Sequence, residues 1–133
     1  MLPSLLHAAE FRSVQTSAIL YDTPSEQGKR LFIAAPGTPV EVIVVLDKWV
    51  KVRDAAGAIT WIASSELSTK RTVMVTSDQA QIRQRPEADA PLAFEAGKQL
   101  VLEVNGQPAN GWLAVRHQDG VSGYIRVTEV WGL

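Results

Sequence analysis

The residues best suited to recognition in this chain are aromatic and cationic, and they recur at one spacing. Trp49 opens "WVKVR", which ends in Arg53, and Trp112 opens "WLAVR", which ends in Arg116. A tryptophan offers a large apolar face for stacking, and a guanidinium offers a planar fork that matches a carboxylate. Tyr21 in "AILYD", Trp61 in "AITWI" and Tyr124 in "SGYIR" extend the set. Such a set binds ligands; it does not supply a nucleophile.

No other grouping of residues points to catalysis. The chain has no cysteine, which removes thiolate chemistry, a disulfide framework and cysteine-based zinc sites. His117 lies in a turn signal and its only histidine companion is His7, so neither a metal site nor a charge relay is expected. "PEADAP" (86–91) reads as an acidic loop and not as a pair of carboxylates facing a pocket. Gly57 and Gly120 read as turn glycines, because no helix start follows them to cradle a phosphate. The expectation is a non-enzymatic protein with no cofactor and no metal.

Charge and composition narrow the partners. Hydrophobic residues make up 46% and charged residues 20%, the balance of a folded chain. A net charge of −1, with the basic residues scattered, gives no stripe for nucleic acid. The opening "MLPSLLHAAEF" reads as the tail of a secretory leader, a signal-peptide remnant over 1–9, with an exported or periplasmic mature chain from Glu10. The alternative is an apolar arm packed on the domain. The run is too short to span a bilayer, so no stable membrane insertion of the mature chain is expected.

The elements that must hold these side chains come as a tandem. "WVKVRDAAGAITWIASSEL" (49–67) lies without a gap over "WLAVRHQDGVSGYIRVTEV" (112–130). Upstream, "LYDTP" pairs with "IRQRP", and "APGTPVEVIVV" pairs with "EAGKQLVLEV", Pro-Gly over Ala-Gly. Each unit is rich in β-branched residues broken by turn signals, notably Asp54 to Gly57 and Asp119-Gly120. "SSEL" and "VTEV" read as a short turn before a last strand. The expected architecture is all-β: two tandem small five-stranded barrels, over 10–68 and 72–133, joined by a linker too short for free tumbling.

Strand parity then assigns faces. In "WVKVR", Val50 and Val52 share one side, and Trp49, Lys51 and Arg53 share the other. "WLAVR" repeats the pattern, and in "SGYIR" and "AITWI" the isoleucines oppose Tyr124 and Trp61. With the aliphatic side as core, each unit shows two aromatics on its non-core face. Fully burying one such ring is worth about 4 kcal/mol at ~25 cal/mol per Å², so something is expected to cover them. The candidates are the other barrel, the curl of the barrel itself, or a ligand.

The Trp-x-x-Val-Arg…Gly…Trp/Tyr-Ile pattern, after a Pro-Gly or Ala-Gly turn, resembles the bacterial SH3-like (SH3b) domain in two copies over residues 11–133. The ending "EVWGL" is similar to that of exported SH3-like proteins from Gram-negative bacteria. The resemblance implies a binding or scaffolding module of the envelope that recognises peptidoglycan. The alternatives are a protein–protein interaction module in a periplasmic assembly and, further off, a cell-wall hydrolase. "AILYD" also resembles the opening of proline-reading SH3 domains. Here, however, Val50 follows Trp49, "ASSEL" replaces the closing Pro-x-x-Tyr, and Arg83 stands where the first unit has Tyr21. Tyr21 is therefore read as a strand anchor. The tentative ligand residues are Trp49, Trp61, Arg53 and Tyr21 in the first unit and Trp112, Tyr124 and Arg116 in the second.

Overall fold

A computed structural model describes residues 9–133; the leader assigned to residues 1–9 lies outside them but for Ala9. The first unit comprises β1 (Glu10–Val14), β2 (Ala18–Tyr21), β3 (Arg30–Ala34), β4 (Pro39–Val45), β5 (Trp49–Arg53), β6 (Ile59–Ala63) and β7 (Leu67–Ser68). The second comprises β8 (Thr72–Val75), β9 (Gln79–Arg83), β10 (Leu92–Gly97), β11 (Val101–Val104), β12 (Trp112–Arg116), β13 (Ser122–Arg126) and β14 (Val130–Trp131). Each unit is one antiparallel sheet, ordered β3-β2-β6-β5-β4-β1-β7 and β10-β9-β13-β12-β11-β8-β14. Adding seven to every label of the first order gives the second, so the repeat holds at the level of strand pairing. There are seven strands per unit where five were expected, because β1 and the two-residue closing strand pair separately. The hydrogen-bonded ladder stays open, with β3 and β7 as its ends in the first unit.

Strand period builds two separate cores from matched positions. Val14, Leu20, Val40, Val50, Val52 and Ile62 fill the first; Val75, Ile82, Leu102, Leu113, Val115 and Ile125 stand at the equivalent places in the second. The parity assigned from "WVKVR" and "WLAVR" holds, since Val50, Val52, Leu113 and Val115 are fully buried and Arg53 and Arg116 are exposed. The expected hairpin turns are also present. Asp54 Oδ1 accepts the N–H groups of Ala56 and Ala58, and Asp119 Oδ1 accepts that of Val121. Gly57 and Gly120 take the positive φ these turns need. The short turns fall at Ser64–Glu66 and Val127–Glu129, each running straight into the closing strand.

The units touch through residues other than the paired aromatics. Phe11 meets Trp131 edge-to-face at 5.1 Å between ring centroids, and the Arg71 guanidinium lies over the same Phe11 ring. Arg71 also donates to the Gly132 carbonyl at 2.7 Å. The buried Thr72 hydroxyl donates to the Gly37 carbonyl, and the buried Ser13 hydroxyl donates to the Lys70 carbonyl, both at 2.7 Å. Gly132 packs so closely on Thr72 and Pro39 that a Cβ there would fall 2.9 Å from the Thr72 oxygen. The first residues of unit one and the last residues of unit two thus close on the linker.

One turn departs from the sequence alignment. The Gly37 and Gln99 N–H groups donate to the Val14 and Val75 carbonyls respectively, so Gly37 is matched by Gln99 and not by Gly97. Both residues are left-handed, Gly37 at φ 82° and Gln99 at φ 76°. Glycine does this freely, whereas a residue with a Cβ clashes with its own backbone. Gln99→Gly is expected to stabilise the protein by about 0.5–1 kcal/mol, less than the full left-handed penalty because glycine also loosens the unfolded chain. The reciprocal Gly37→Gln is expected to destabilise it by about 1–2 kcal/mol. Urea unfolding midpoints read both.

Candidate binding clefts

Trp49 begins β5, directly after the tight turn that leaves β4, and its side chain projects from the non-core face. It is half-buried because the Tyr21 ring from the end of β2 packs against it edge-to-face, centroids 5.5 Å apart at 85°. Around Trp49 a cleft of about 490 Å³ opens between the β2–β3 loop (Pro24, Ser25, Glu26, Gln27) and the short turn after β6 (Ala63, Ser64, Ser65). Lys48 completes its rim. That loop is held by its own hydrogen bonds. Asp22 Oδ1 accepts the Lys29 N–H at 2.8 Å, and Gly28 sits where a Cβ would lie only 2.4 Å from the Thr23 hydroxyl.

Trp112 begins β12 at the same topological place, and the second unit builds a matching cleft of about 290 Å³ around it. Its walls are Gln79, Gln81 and Arg83 of β9, Ala88 of the β9–β10 loop, and Arg126 and Glu129 beside the short turn. The packing partner has been exchanged. Trp112 pairs across strands with Arg126, whose guanidinium lies over the indole at 4.6 Å from the ring centroid. The first unit has Ala63 at that place, across from Trp49. Conversely, Arg83 holds the position of Tyr21: Tyr21 pairs with Trp61, and Arg83 with Tyr124. Arg83 is pinned by the Ala90 carbonyl and the Gln81 side chain. Stacked arginine covers Trp112 down to 9% exposure. The second cleft therefore presents guanidinium groups in front of the ring, and the first presents the indole itself with one carboxylate and one amine.

The remaining sequence-nominated residues stand apart from these clefts. Trp61 lies across from Lys51, whose amine sits 5.9 Å from the indole centroid. Tyr124 lines a shallow depression with Gln84, Asn105 and Ala114 instead of the Trp112 cleft. Arg53 and Arg116 project from the far ends of β5 and β12, and each faces a glutamate on the neighbouring strand. Arg53 pairs with Glu41 at 3.2 Å. Arg116 lies across from Glu103, whose carboxyl is held below the usual range chiefly by a 2.6 Å hydrogen bond from Lys70, with the Arg116 charge adding to it. The structure thus joins Tyr21 to Trp49 but does not bring Arg53 or Arg116 to a tryptophan. Arg126, Arg83, Gln81 and the β2–β3 loop were not nominated from the sequence. The only signal for Arg126 was its position in "SGYIR", on the same face as Tyr124.

Neither cleft lies between the units. Among the described residues no group of three or more His, Cys, Asp or Glu is arranged to hold a metal ion. No helix among them is long and apolar enough to cross a membrane.

The family model described as bacterial SH3 domain matches the chain twice, over residues 14–69 and 76–132. No curated protein matches it. Among solved structures, NlpC2 from Trichomonas vaginalis is similar at 13% identity and a TM-score of 0.43, covering 93% of this chain and 48% of its own. NlpC1 from the same organism gives 13%, 0.42, 96% and 47% in the same order. An NlpC/P60 family protein from Bacillus cereus gives 15%, 0.42, 91% and 55%. The chain spans about half the length of these structures.

The exchanged partner has a measurable consequence. Arg126→Ala is expected to cost about 0.5–1 kcal/mol of stability through loss of the cation–π contact. It is also expected to red-shift the tryptophan emission, because Trp112 gains contact with water. Lys51→Ala, which removes the more distant amine over Trp61, is expected to change both quantities less.

Proposed function

The chain belongs to the bacterial SH3 domain family, in two tandem copies, and from that premise we propose that it is a non-catalytic binding module of the bacterial envelope that recognises peptidoglycan through the Trp49 and Trp112 clefts. One observation carries the reading: a cleft opens around each of two topologically equivalent tryptophans, while the surfaces that hold the units together use other residues. Two tryptophans at the start of equivalent strands, each beside the same long loop and the same short turn, support a repeated site, with Trp49 half-buried and Trp112 roofed by Arg126.

The chemistry suits a glycopeptide. Sugar rings and short peptides stack on indole and tyrosine faces, and peptide carboxylates pair with guanidinium groups such as Arg83 and Arg126. Each cleft is open and shallow, so each binds weakly. A polymer that engages both at once gains avidity of about 10²–10⁴ over one site, provided its repeat spans the distance between them. Family membership supports an exported protein, where such a polymer is met.

A second reading is favoured by the difference between the clefts. A repeating polymer presents the same chemistry to both, whereas Glu26 and Lys48 around one ring and Arg83 and Arg126 around the other suit a partner with two unlike segments. That partner is an envelope protein.

Co-sedimentation with purified, protein-free peptidoglycan across salt concentrations separates the readings. Wall recognition predicts saturable retention that survives moderate salt. It falls by about tenfold or more in either Trp49→Ala or Trp112→Ala, since each removes one of two linked sites. Circular dichroism establishes that each variant remains folded. Absence of retention by the intact protein overturns wall recognition and leaves the envelope-protein reading. Turnover of the wall fragments overturns the non-catalytic assignment.

A further inference from the structure

The two units treat one cross-strand pair in opposite ways. β4 with β5 and β11 with β12 are equivalent, and each sets an arginine across from a glutamate: Arg53 across from Glu41, and Arg116 across from Glu103. In the first unit the pair closes on itself, with the Arg53 guanidinium 3.2 Å from the Glu41 carboxylate. In the second it does not. Lys70 of the linker takes the Glu103 carboxylate at 2.6 Å, and Arg116 makes no ion pair and no side-chain hydrogen bond among the described residues.

The released guanidinium stands at a cleft that neither unit builds alone. This third cleft, of about 320 Å³, lies between the first unit, the linker and the β11–β12 pair of the second unit. Ser13 and Thr72, whose buried hydroxyls bond across the junction, form part of its wall and fix it in place. Around them stand Lys70, Glu103 and Arg116, with the side-chain amides of Gln15 and Gln118. Two cations against one anion leave one net positive charge. None of these residues lines the Trp49 or the Trp112 cleft.

We propose that this cleft between the units is a further binding site, which takes a peptide carboxylate on the Arg116 guanidinium. The guanidinium fork matches a carboxylate and donates two parallel hydrogen bonds to it. One carboxylate balances the single excess charge, whereas a doubly charged phosphate overfills it and meets the Glu103 carboxylate. Gln15 and Gln118 each carry an amide that both donates and accepts, which suits the peptide units beside the bound group. Lys70 is a positioning residue: by holding Glu103 it keeps the arginine free. An acidic side chain and a peptide terminus present the same fork, so either can supply the carboxylate. The inference is independent of the tryptophan clefts.

Titration of the full chain, followed in proton–nitrogen correlation spectra, tests it with three acetylated peptides. They are Gly-Glu-Gly amide, Gly-Gly-Gly with a free carboxyl terminus, and the neutral Gly-Gly-Gly amide. The backbone signals of Gly37, Lys70 and Gln118 are expected to shift and saturate with one or both charged peptides, which names the source of the carboxylate. The neutral peptide is expected to bind about tenfold more weakly. Arg116→Gln is expected to weaken charged-peptide binding by about tenfold as well. Arg53→Gln, the matched change in the first unit, leaves it unchanged. Lys70→Ala is expected to weaken binding comparably, because Glu103 then closes on Arg116 as Glu41 closes on Arg53. Adding Glu103→Gln to Lys70→Ala is expected to restore much of that loss, which simple removal of the lysine charge would not allow. Circular dichroism establishes that each variant remains folded. The proposal is overturned by the absence of a saturable shift, by equal binding of the neutral peptide, or by tighter binding of inorganic phosphate. Shifts confined to the Trp112 indole also overturn it and assign the carboxylate to that cleft. A loss in Lys70→Ala that Glu103→Gln does not restore overturns the role of Lys70.

Discussion

A strand has two faces and a small sheet can bury only one of them completely. In each unit that face is taken by aliphatic residues: Val50, Val52 and Ile62 in the first, Leu113, Val115 and Ile125 in the second, all with no exposure. The side chains between them in sequence have no choice but the other face. This constraint puts Trp49, Trp61, Trp112 and Tyr124 outside the cores. What then distinguishes the four is the local cover each receives. Tyr21 covers Trp49, Arg126 covers Trp112, Lys51 approaches Trp61, and Tyr124 lies in a shallow depression.

The two units share a frame and differ on its surface. Strand order and core positions are shared, while solvent-facing positions have diverged in a patterned way. One unit braces its tryptophan with a tyrosine and the other with an arginine. One blunts its edge strand with Glu95 and tucks Phe94 under His117; the other leaves Ile33 and Phe32 in the open. The interface between units draws on Phe11 of β1 and Trp131 of β14, so the first strand of one unit, the last strand of the other and the linker lock the pair. That arrangement leaves both tryptophan clefts and the β3 edge outside the contact between the units.

Much of this was legible in the sequence because a period of two is a hard constraint. "WVKVR" and "WLAVR" admit only one assignment of faces once valine and leucine are placed inside. Hairpins were legible for the same kind of reason, since Asp54 to Gly57 and Asp119-Gly120 carry the turn chemistry in their residue types. The alignment of Gly37 with Gly97 failed because Gln99 adopts the left-handed conformation that sequence reading reserves for glycine. Arg53 and Arg116 were grouped with the tryptophans because strand parity puts them on the same face, but a strand carries them to its far end, where Glu41 and Glu103 engage them or share their field. The roles of Arg126 and of the Phe11–Trp131 contact were not legible. Both depend on pairings between strands, and no local pattern encodes them.

The proposed division, with Trp49 and Trp112 serving ligands and Trp131 serving the fold, can be read directly. Each tryptophan contributes one indole N–H signal to a proton–nitrogen correlation spectrum, so the four report separately during titration with soluble peptidoglycan fragments. The account predicts that the Trp49 and Trp112 signals move together and saturate, and that the Trp131 signal stays in place. Movement of Trp131 alone, or equal small movement of all four, would contradict it.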